Sequence, residues 1–140
     1  MRDKYEIVIG LDPGVQTGVA IWSTVEKKFL NITTKKIHVA CEMIRSLKTK
    51  KLLVRFEDAR QRKWFGNSGR EKLQGAGSVK RDCKMWEDFL KDLGVPFEAV
   101  APRKGMTKIN PEHFQKLTKW TTRTSEHARD AAMLVFQHNG

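Results

Sequence analysis

Three acidic residues stand at positions where surface solubility alone does not explain a carboxylate. Asp12 ends a β-branched segment and precedes the turn formers Pro13 and Gly14, and Glu57 ends a second apolar segment. Asp130 lies in an alanine-rich segment, whose small residues favour a helix packed closely on a sheet. Clustered carboxylates do not all ionise near neutral pH unless they share a proton or a cation, and hard oxygen ligands select Mg²⁺ or Mn²⁺. The three acids therefore predict a divalent metal site.

The chemistry that such a site supports is phosphodiester hydrolysis. Two ions about 3.5 to 4 Å apart would activate water on one side of the phosphorus and stabilise the departing oxygen on the other. His127 precedes Asp130 by three residues, so a helix would place both on one face. Its imidazole could then ligate a metal or move a proton.

Each of these residues also has a structural interpretation. Asp12 is a common turn former before Pro13, and His127 could be an ordinary residue of a first helical turn. Glu57 is followed by Asp58, and the alternation of a strand does not reveal which of the two acids points inward. The choice between them stays open at this point.

The overall charge is strongly basic. The 140 residues contain 27 Lys and Arg against 16 Asp and Glu, a formal net charge of +11. A polyanion is the natural partner, although ribosome association or an anionic membrane surface would also fit the charge. No apolar segment approaches the roughly 20 residues that span a bilayer, and Cys41 and Cys83 lack metal-binding spacing. We expect one domain over residues 1–140, cytoplasmic, in a bacterial cell or a phage-infected host.

Hydrophobic periodicity predicts an α/β fold with the element order βββαβαβαα. A charged hairpin connects the second and third strands, and a glycine-rich basic loop covers residues 59–78. Three antiparallel strands followed by two parallel strands give a mixed five-stranded sheet with helices on both faces. The predicted strands are 5–12, 18–23, 29–33, 52–57 and 96–101, and the predicted helices are 37–51, 79–93, 110–120 and 125–135.

Four segments together resemble the RuvC-type Holliday junction resolvases, especially compact phage-type members of the RNase H-like superfamily. They are Ile9–Gly14, Thr17–Ala20, Phe56–Glu57 and His127–Ala132. The resemblance implies an RNase H-like fold, with Asp12, Glu57 and Asp130 as metal-binding carboxylates. It places His127 where some members carry a fourth carboxylate and others a histidine.

The resemblance also implies the activity and the assembly. A homodimer would nick two symmetric strands of a four-way DNA junction, leaving 5′-phosphate and 3′-hydroxyl ends that a ligase can seal. Lys104 resembles a basic residue that the family places near the scissile phosphate, and Lys108 or Lys116 resembles a second one.

The basic loop and the helix after it supply candidate DNA contacts. Some family members carry an aromatic wedge three residues after the strand-four glutamate, where this chain has Arg60. We expect Trp64 or Phe65 either to stack on an unpaired base or to anchor the loop to its own core. A phosphate-binding stripe is predicted from Arg60, Arg62, Lys63, Arg70, Lys80, Arg81 and Lys84.

Three other functions compete with a junction-resolving nuclease. A ribonuclease acting on rRNA or RNA–DNA hybrids would keep the fold and change the substrate. A non-catalytic nucleic-acid-binding module would use the basic loop and keep the acids for structure. A sugar-kinase or actin-like ATPase also begins with a strand and an acidic, glycine-containing turn, but it needs two such domains, and 140 residues provide length for one.

Overall fold

The computed structural model describes residues 4–61, 70–102 and 109–140, with residues 70–76 described through their backbone. The predictions for Arg62, Lys63, Trp64, Phe65, Lys104 and Lys108, and for the side chain of Arg70, therefore lie outside the described residues.

The described residues form five strands and four helices in the predicted order βββαβαβαα. The strands are β1 (Ile7–Asp12), β2 (Gln16–Ser23), β3 (Lys28–Lys36), β4 (Leu52–Glu57) and β5 (Phe97–Val100). The helices are α1 (Ile37–Ser46), α2 (Arg70–Leu93), α3 (Pro111–Thr118) and α4 (Glu126–Met133), with a short 3₁₀ turn at Ala59–Gln61.

The strands form one mixed sheet in the order β3-β2-β1-β4-β5. The first three strands pair antiparallel, whereas β1 and β4, and β4 and β5, pair parallel. The carboxyl ends of β1, β4 and β5 therefore share one edge of the sheet. This topology confirms the predicted mixed sheet and places the end of β1 beside the end of β4.

Each face of the sheet carries its own core. On one face, α1 and α2 bury large side chains, among them Ile44, Trp86 and Leu90. On the other, Phe114 of α3 and the alanines of α4 pack on Val8, Trp22 and Leu53, among other residues. Helices thus cover both faces, as predicted.

The helix ends follow the sequence signals closely. Gly94 adopts φ 76°, and the amides of Gly94 and Val95 donate to the carbonyls of Lys91 and Leu90, which closes α2 with a Schellman motif. Asn110 caps α3 through its side chain, and Ser125 caps α4 in the same way.

Two element predictions were wrong. We predicted residues 70–78 as loop because Gly75 and Gly77 weaken a helix, yet α2 begins at Arg70. Packing of Cys83, Trp86 and Leu90 anchors the rest of this helix and outweighs local propensity. The first helix was predicted over residues 37–51, but α1 ends at Ser46, where the amides of Leu47 and Lys48 turn back to the carbonyls of Ile44 and Arg45.

No helix among the described residues is long and apolar enough to cross a membrane.

Candidate active site at the carboxyl edge of the sheet

Strand alternation determines which face each acid occupies. In β4, Val54 and Phe56 point into the core under α1 and α2, so Glu57 points to the face that α4 covers. Asp58 is the next residue and has the opposite direction, since it is buried against residues of the α2 side. The structure thereby identifies Glu57 as the acid on the α4 face.

The same alternation puts Asp12 on the α4 face of β1, because Ile9 and Leu11 face the opposite core. Leu11 lies opposite Phe56 in the parallel pairing, so Asp12 and Glu57 are the next residues on neighbouring strands. Neighbouring strands run about 4.8 Å apart. The predicted meeting of these two acids at one edge therefore has the required backbone geometry.

Two glycines allow α4 to lie directly on the sheet. A Cβ atom at Gly10 would collide with the backbone carbonyl of Ala131, and one at Gly18 would collide with the carbonyl of His127. Gly18 pairs with Asp12 in the β1–β2 register. Backbone contact at Gly18 therefore fixes the start of α4 beside the end of β1.

The role of Gly10 and Gly18 was not predicted from the sequence, although both stand inside buried strands. A glycine at such a position commonly marks the close approach of another backbone. Paired with an alanine-rich helix, this signal could have predicted the contact.

His127 meets Asp12 at this edge. Its Nδ1 lies 2.9 Å from Oδ2 of Asp12. A carboxylate oxygen accepts hydrogen bonds, so we assign the donor of this contact to Nδ1–H of His127. The Asp12 side chain is 16% exposed and that of His127 53%, so the pair is open to a ligand from solvent.

Hydrogen bonds hold α4 across the sheet at both of its ends. At its start, the hydroxyls of Ser125 and Thr34 of β3 form a short hydrogen bond. At its end, the Arg55 guanidinium of β4 donates to the Leu134 carbonyl at 2.5 Å. These bonds fix the position of α4, and with it the placement of His127 and Asp130.

Asp58 belongs to a separate, structural ion-pair network. Arg60 donates from Nε to Oδ1 of Asp58 at 2.8 Å and from a terminal nitrogen to Glu87 of α2 at 3.0 Å. Burial alone would raise the pKa of Asp58, but hydrogen bonds from Arg60 and Gln61 outweigh it and hold this pKa below its usual value. The network attaches the segment after β4 to α2.

Arg60, which was predicted to bind phosphate, takes part in this ion-pair network. Two carboxylates hold its guanidinium, and the hydrogen bond to Asp58 raises its pKa further above the usual value. Composition alone did not reveal this pairing.

The residues fit a divalent ion in their donor chemistry. Asp12 and Glu57 place carboxylates on one face at neighbouring strand ends, and hard oxygen ligands are those that Mg²⁺ and Mn²⁺ prefer. Among the described side chains, however, no group of three or more His, Cys, Asp or Glu residues is placed to hold a metal. The structure therefore brings Asp12 and His127 into contact, with Glu57 on the adjacent strand end and Asp130 three residues further along α4.

Basic residues surround the same edge. Cys83 Sγ lies 3.6 Å from the Glu57 carbonyl oxygen, which brings this part of α2 to the carboxyl end of β4. Three members of the predicted phosphate-binding stripe are exposed on this part of α2, namely Lys80, Arg81 and Lys84. Arg81 donates to the Ser78 hydroxyl, and Lys84 pairs with Asp88 at 2.9 Å.

Two further lysines at this edge were not predicted. Lys35 and Lys36 end β3 in register with Thr17 and Gln16, and both are exposed. Their position depends on the β2–β3 register, which the sequence alone did not provide.

Comparison with known proteins supports the fold. No protein-family model matches the chain. No curated protein sequence matches it either. Among solved structures, T. thermophilus RuvC in complex with Holliday junction substrate superposes with a TM-score of 0.60 at 16% sequence identity, over 94% of this chain and 92% of that one. The chain therefore has the RNase H-like fold of RuvC, a five-stranded mixed sheet with helices on both faces.

Proposed function

We propose that this protein is a divalent-metal-dependent endonuclease that cuts branched DNA, in particular four-way junctions. The observation that carries the proposal is the contact between Asp12 and His127, beside the end of the strand that bears Glu57. Carboxylates from separate chain segments at a solvent-open edge of a basic protein suit hydrolysis of a phosphodiester.

Asp12, Glu57 and Asp130 would hold two Mg²⁺ ions, and Mn²⁺ would substitute. Such ions polarise the phosphodiester and stabilise the charge on the departing oxygen. His127 would orient the Asp12 carboxylate through Nδ1–H, and its Nε2 would accept a proton from the attacking water. Lys104 would stabilise negative charge at the scissile phosphate.

The substrate assignment rests on charge and on the fold. A formal net charge of +11 favours a polyanion, and the RuvC of similar fold was solved with a Holliday junction substrate. We infer that a homodimer of single-domain chains makes paired nicks with 5′-phosphate and 3′-hydroxyl ends.

DNA positioning would come from basic residues around the carboxyl edge of the sheet. Lys80, Arg81 and Lys84 are exposed at the same end of the sheet as Glu57. Lys35 and Lys36 add charge at the end of β3. We extend the proposed stripe to Arg62, Lys63, Arg70 and Lys108, with Trp64 or Phe65 stacking on an unpaired base. Arg60 is left out because Asp58 and Glu87 hold its guanidinium.

Cleavage of an immobile four-way junction with and without Mg²⁺ tests the proposal. Asp12→Asn keeps the shape of the side chain and removes a ligand charge, so we expect about a 10³-fold loss of cutting, equivalent to about 4 kcal/mol, with binding retained. Asp92→Asn is the matched control, because it removes the same charge from an exposed position of α2 and should cut like the wild type.

Two results would contradict the proposal. Wild-type cutting by Asp12→Asn would exclude this site as the catalytic centre. Preferential cutting of an RNA–DNA hybrid over the junction would favour the ribonuclease instead.

A further inference from the structure

A lysine-rich groove lies at the opposite end of the sheet from the candidate active site. The groove has a volume of about 550 Å³ and is formed where the three parallel strands begin. Lys51 precedes β4, Tyr5 lies just before β1, and Pro96 precedes β5. Its lining residues are Lys4, Tyr5, Lys48, Lys50, Lys51, Leu52, Gly94, Val95 and Pro96.

Backbone hydrogen bonds hold the walls of the groove together. The amides of Glu6 and Ile7 both donate to the Lys51 carbonyl, at 2.8 and 3.1 Å. The Val54 amide donates to the Pro96 carbonyl at 3.1 Å. The Schellman motif at Gly94 fixes the remaining wall. The groove is therefore a formed surface of the sheet end, and a ligand does not need to order it.

The described lining of the groove is basic. Four exposed lysines belong to it, and none of its described residues is a carboxylate. The nearest acids along the described chain, Glu6, Asp92 and Glu98, are exposed and outside the lining. Four like charges around one groove repel one another, and a bound polyanion relieves that repulsion.

Compensation of the α1 dipole does not account for this cluster. A helix dipole favours basic residues within its last turn, and α1 ends at Ser46 with Leu47 as its C-cap. Lys50 and Lys51 lie beyond that turn, and Lys4 comes from the segment before β1. The tertiary fold therefore collects the lysines from two chain segments.

This groove is distinct from the candidate active site. Five residue steps separate Ile7, at the start of β1, from Asp12, which at about 3.3 Å per residue is about 17 Å. A phosphate held in the groove is therefore a different phosphate from one at Asp12.

We propose that the groove is a second nucleic-acid contact, which binds the phosphate backbone of a duplex segment away from the cutting site. The inference rests on the proposed function for its choice of nucleic acid, and a net charge of +11 favours that polyanion over an acidic protein segment. Lysine ammonium groups neutralise phosphates as point charges without reading base sequence. Tyr5 is half-buried in the groove, with the Lys4 ammonium 5.4 Å from its ring centroid.

The salt dependence of duplex binding tests this inference. Lys48→Gln with Lys50→Gln is compared with Lys27→Gln with Lys28→Gln, which removes two charges from the β2–β3 hairpin at the same end of the sheet. Binding of an unbranched duplex is followed by fluorescence anisotropy between 50 and 200 mM salt, without divalent metal. Two lost phosphate contacts should flatten the slope of log K against log salt by about 1.8 and weaken binding up to about 60-fold at 0.1 M salt.

The control pair should keep the wild-type slope. An unchanged slope in the groove variant, or an equal change in both variants, would overturn the inference. Binding of poly-glutamate is measured with the same variants. If the groove substitutions weaken poly-glutamate binding as much as duplex binding, the inference is overturned, because that result would indicate an acidic protein partner. Because the duplex stays uncut without metal, these outcomes are independent of whether Asp12→Asn abolishes cleavage.

Discussion

The two faces of the sheet are packed by opposite means. Under α1 and α2, large side chains such as Trp86 and Leu90 fill the space between helix and sheet. Under α4, the helix backbone lies against Gly10 and Gly18, with alanines between. One face therefore supplies most of the burial of large side chains, whereas the other fixes the position of the candidate catalytic side chains.

The adjacent acids Glu57 and Asp58 point to different faces of the sheet. Glu57 points to the α4 face, beside Asp12, and Asp58 is held by Arg60 on the α2 side. We propose the first acid as a metal ligand, whereas its neighbour attaches the following segment to α2 through Arg60. Each of the following substitutions tests whether stability and catalysis separate between the two faces.

Trp86→Ala should have the largest effect on stability. The side chain is fully buried, and truncation of such an aromatic costs about 3 to 5 kcal/mol. Urea unfolding measures this cost, and junction cutting per folded molecule should stay close to wild type. Trp86→Phe is the control, because its indole N–H has no hydrogen-bond partner among the described residues. A selective loss of cutting in fully folded Trp86→Ala would break the separation of the faces.

Gly10→Ala should reduce junction cutting more than it reduces stability. The added Cβ meets the Ala131 carbonyl, so α4 has to shift, at an overpacking cost of about 1 to 3 kcal/mol. A misplacement of about 1 Å can cost about 10²-fold in rate, so cutting should fall by that order. The same substitution at Gly77, where a Cβ meets open space in α2, should stabilise by about 0.5 to 1 kcal/mol and leave cutting unchanged. Equal rates for both variants would show that α4 does not set the site geometry.

Asp58→Asn should lower the free energy of unfolding by about 1 kcal/mol at pH 7, because Arg60 keeps its pair with Glu87. Since folding lowers the Asp58 pKa, its contribution is full above the unfolded value of about 3.9 and is lost as pH falls through the folded value. Urea unfolding at pH 7 and below pH 4 should show the difference from wild type shrinking in acid.

Glu57→Gln is the matching substitution at the neighbouring acid. It should abolish junction cutting and leave the unfolding free energy near wild type. Loss of cutting in Asp58→Asn together with wild-type cutting in Glu57→Gln would contradict the roles that strand alternation assigns to these two acids.

The sequence predicted those parts of the fold that local chemistry determines. The bounds of β4 and the end of α2 at Leu93 match the predicted ranges 52–57 and 79–93, because an apolar run and helical periodicity mark them locally. The start of α2 at Arg70 did not, because tertiary packing further along the helix overrides two unfavourable glycines.

The candidate site was predictable in its residue types but not in its contacts. Asp12 and Glu57 could be recognised as acids at strand ends, yet the choice between Glu57 and Asp58 required the direction of β4 relative to both cores. The pairing of Arg60 required the position of Glu87 on a distant helix. These contacts depend on strand register and on which helices pack against which strands. Neither is determined by the residues next to the site in the sequence.

The hydrogen bonds at the two ends of α4 have a consequence for how the molecule opens. Thr34 and Arg55 belong to strands on opposite sides of β1, so the helix braces the sheet diagonally. A segment braced in this way does not fray on its own, and its amide protons exchange only when the sheet itself separates. Hydrogen exchange at Ala131 and Ala132 would then report the rarest, global opening event of the protein, although both lie in a helix of only eight residues near the end of the chain.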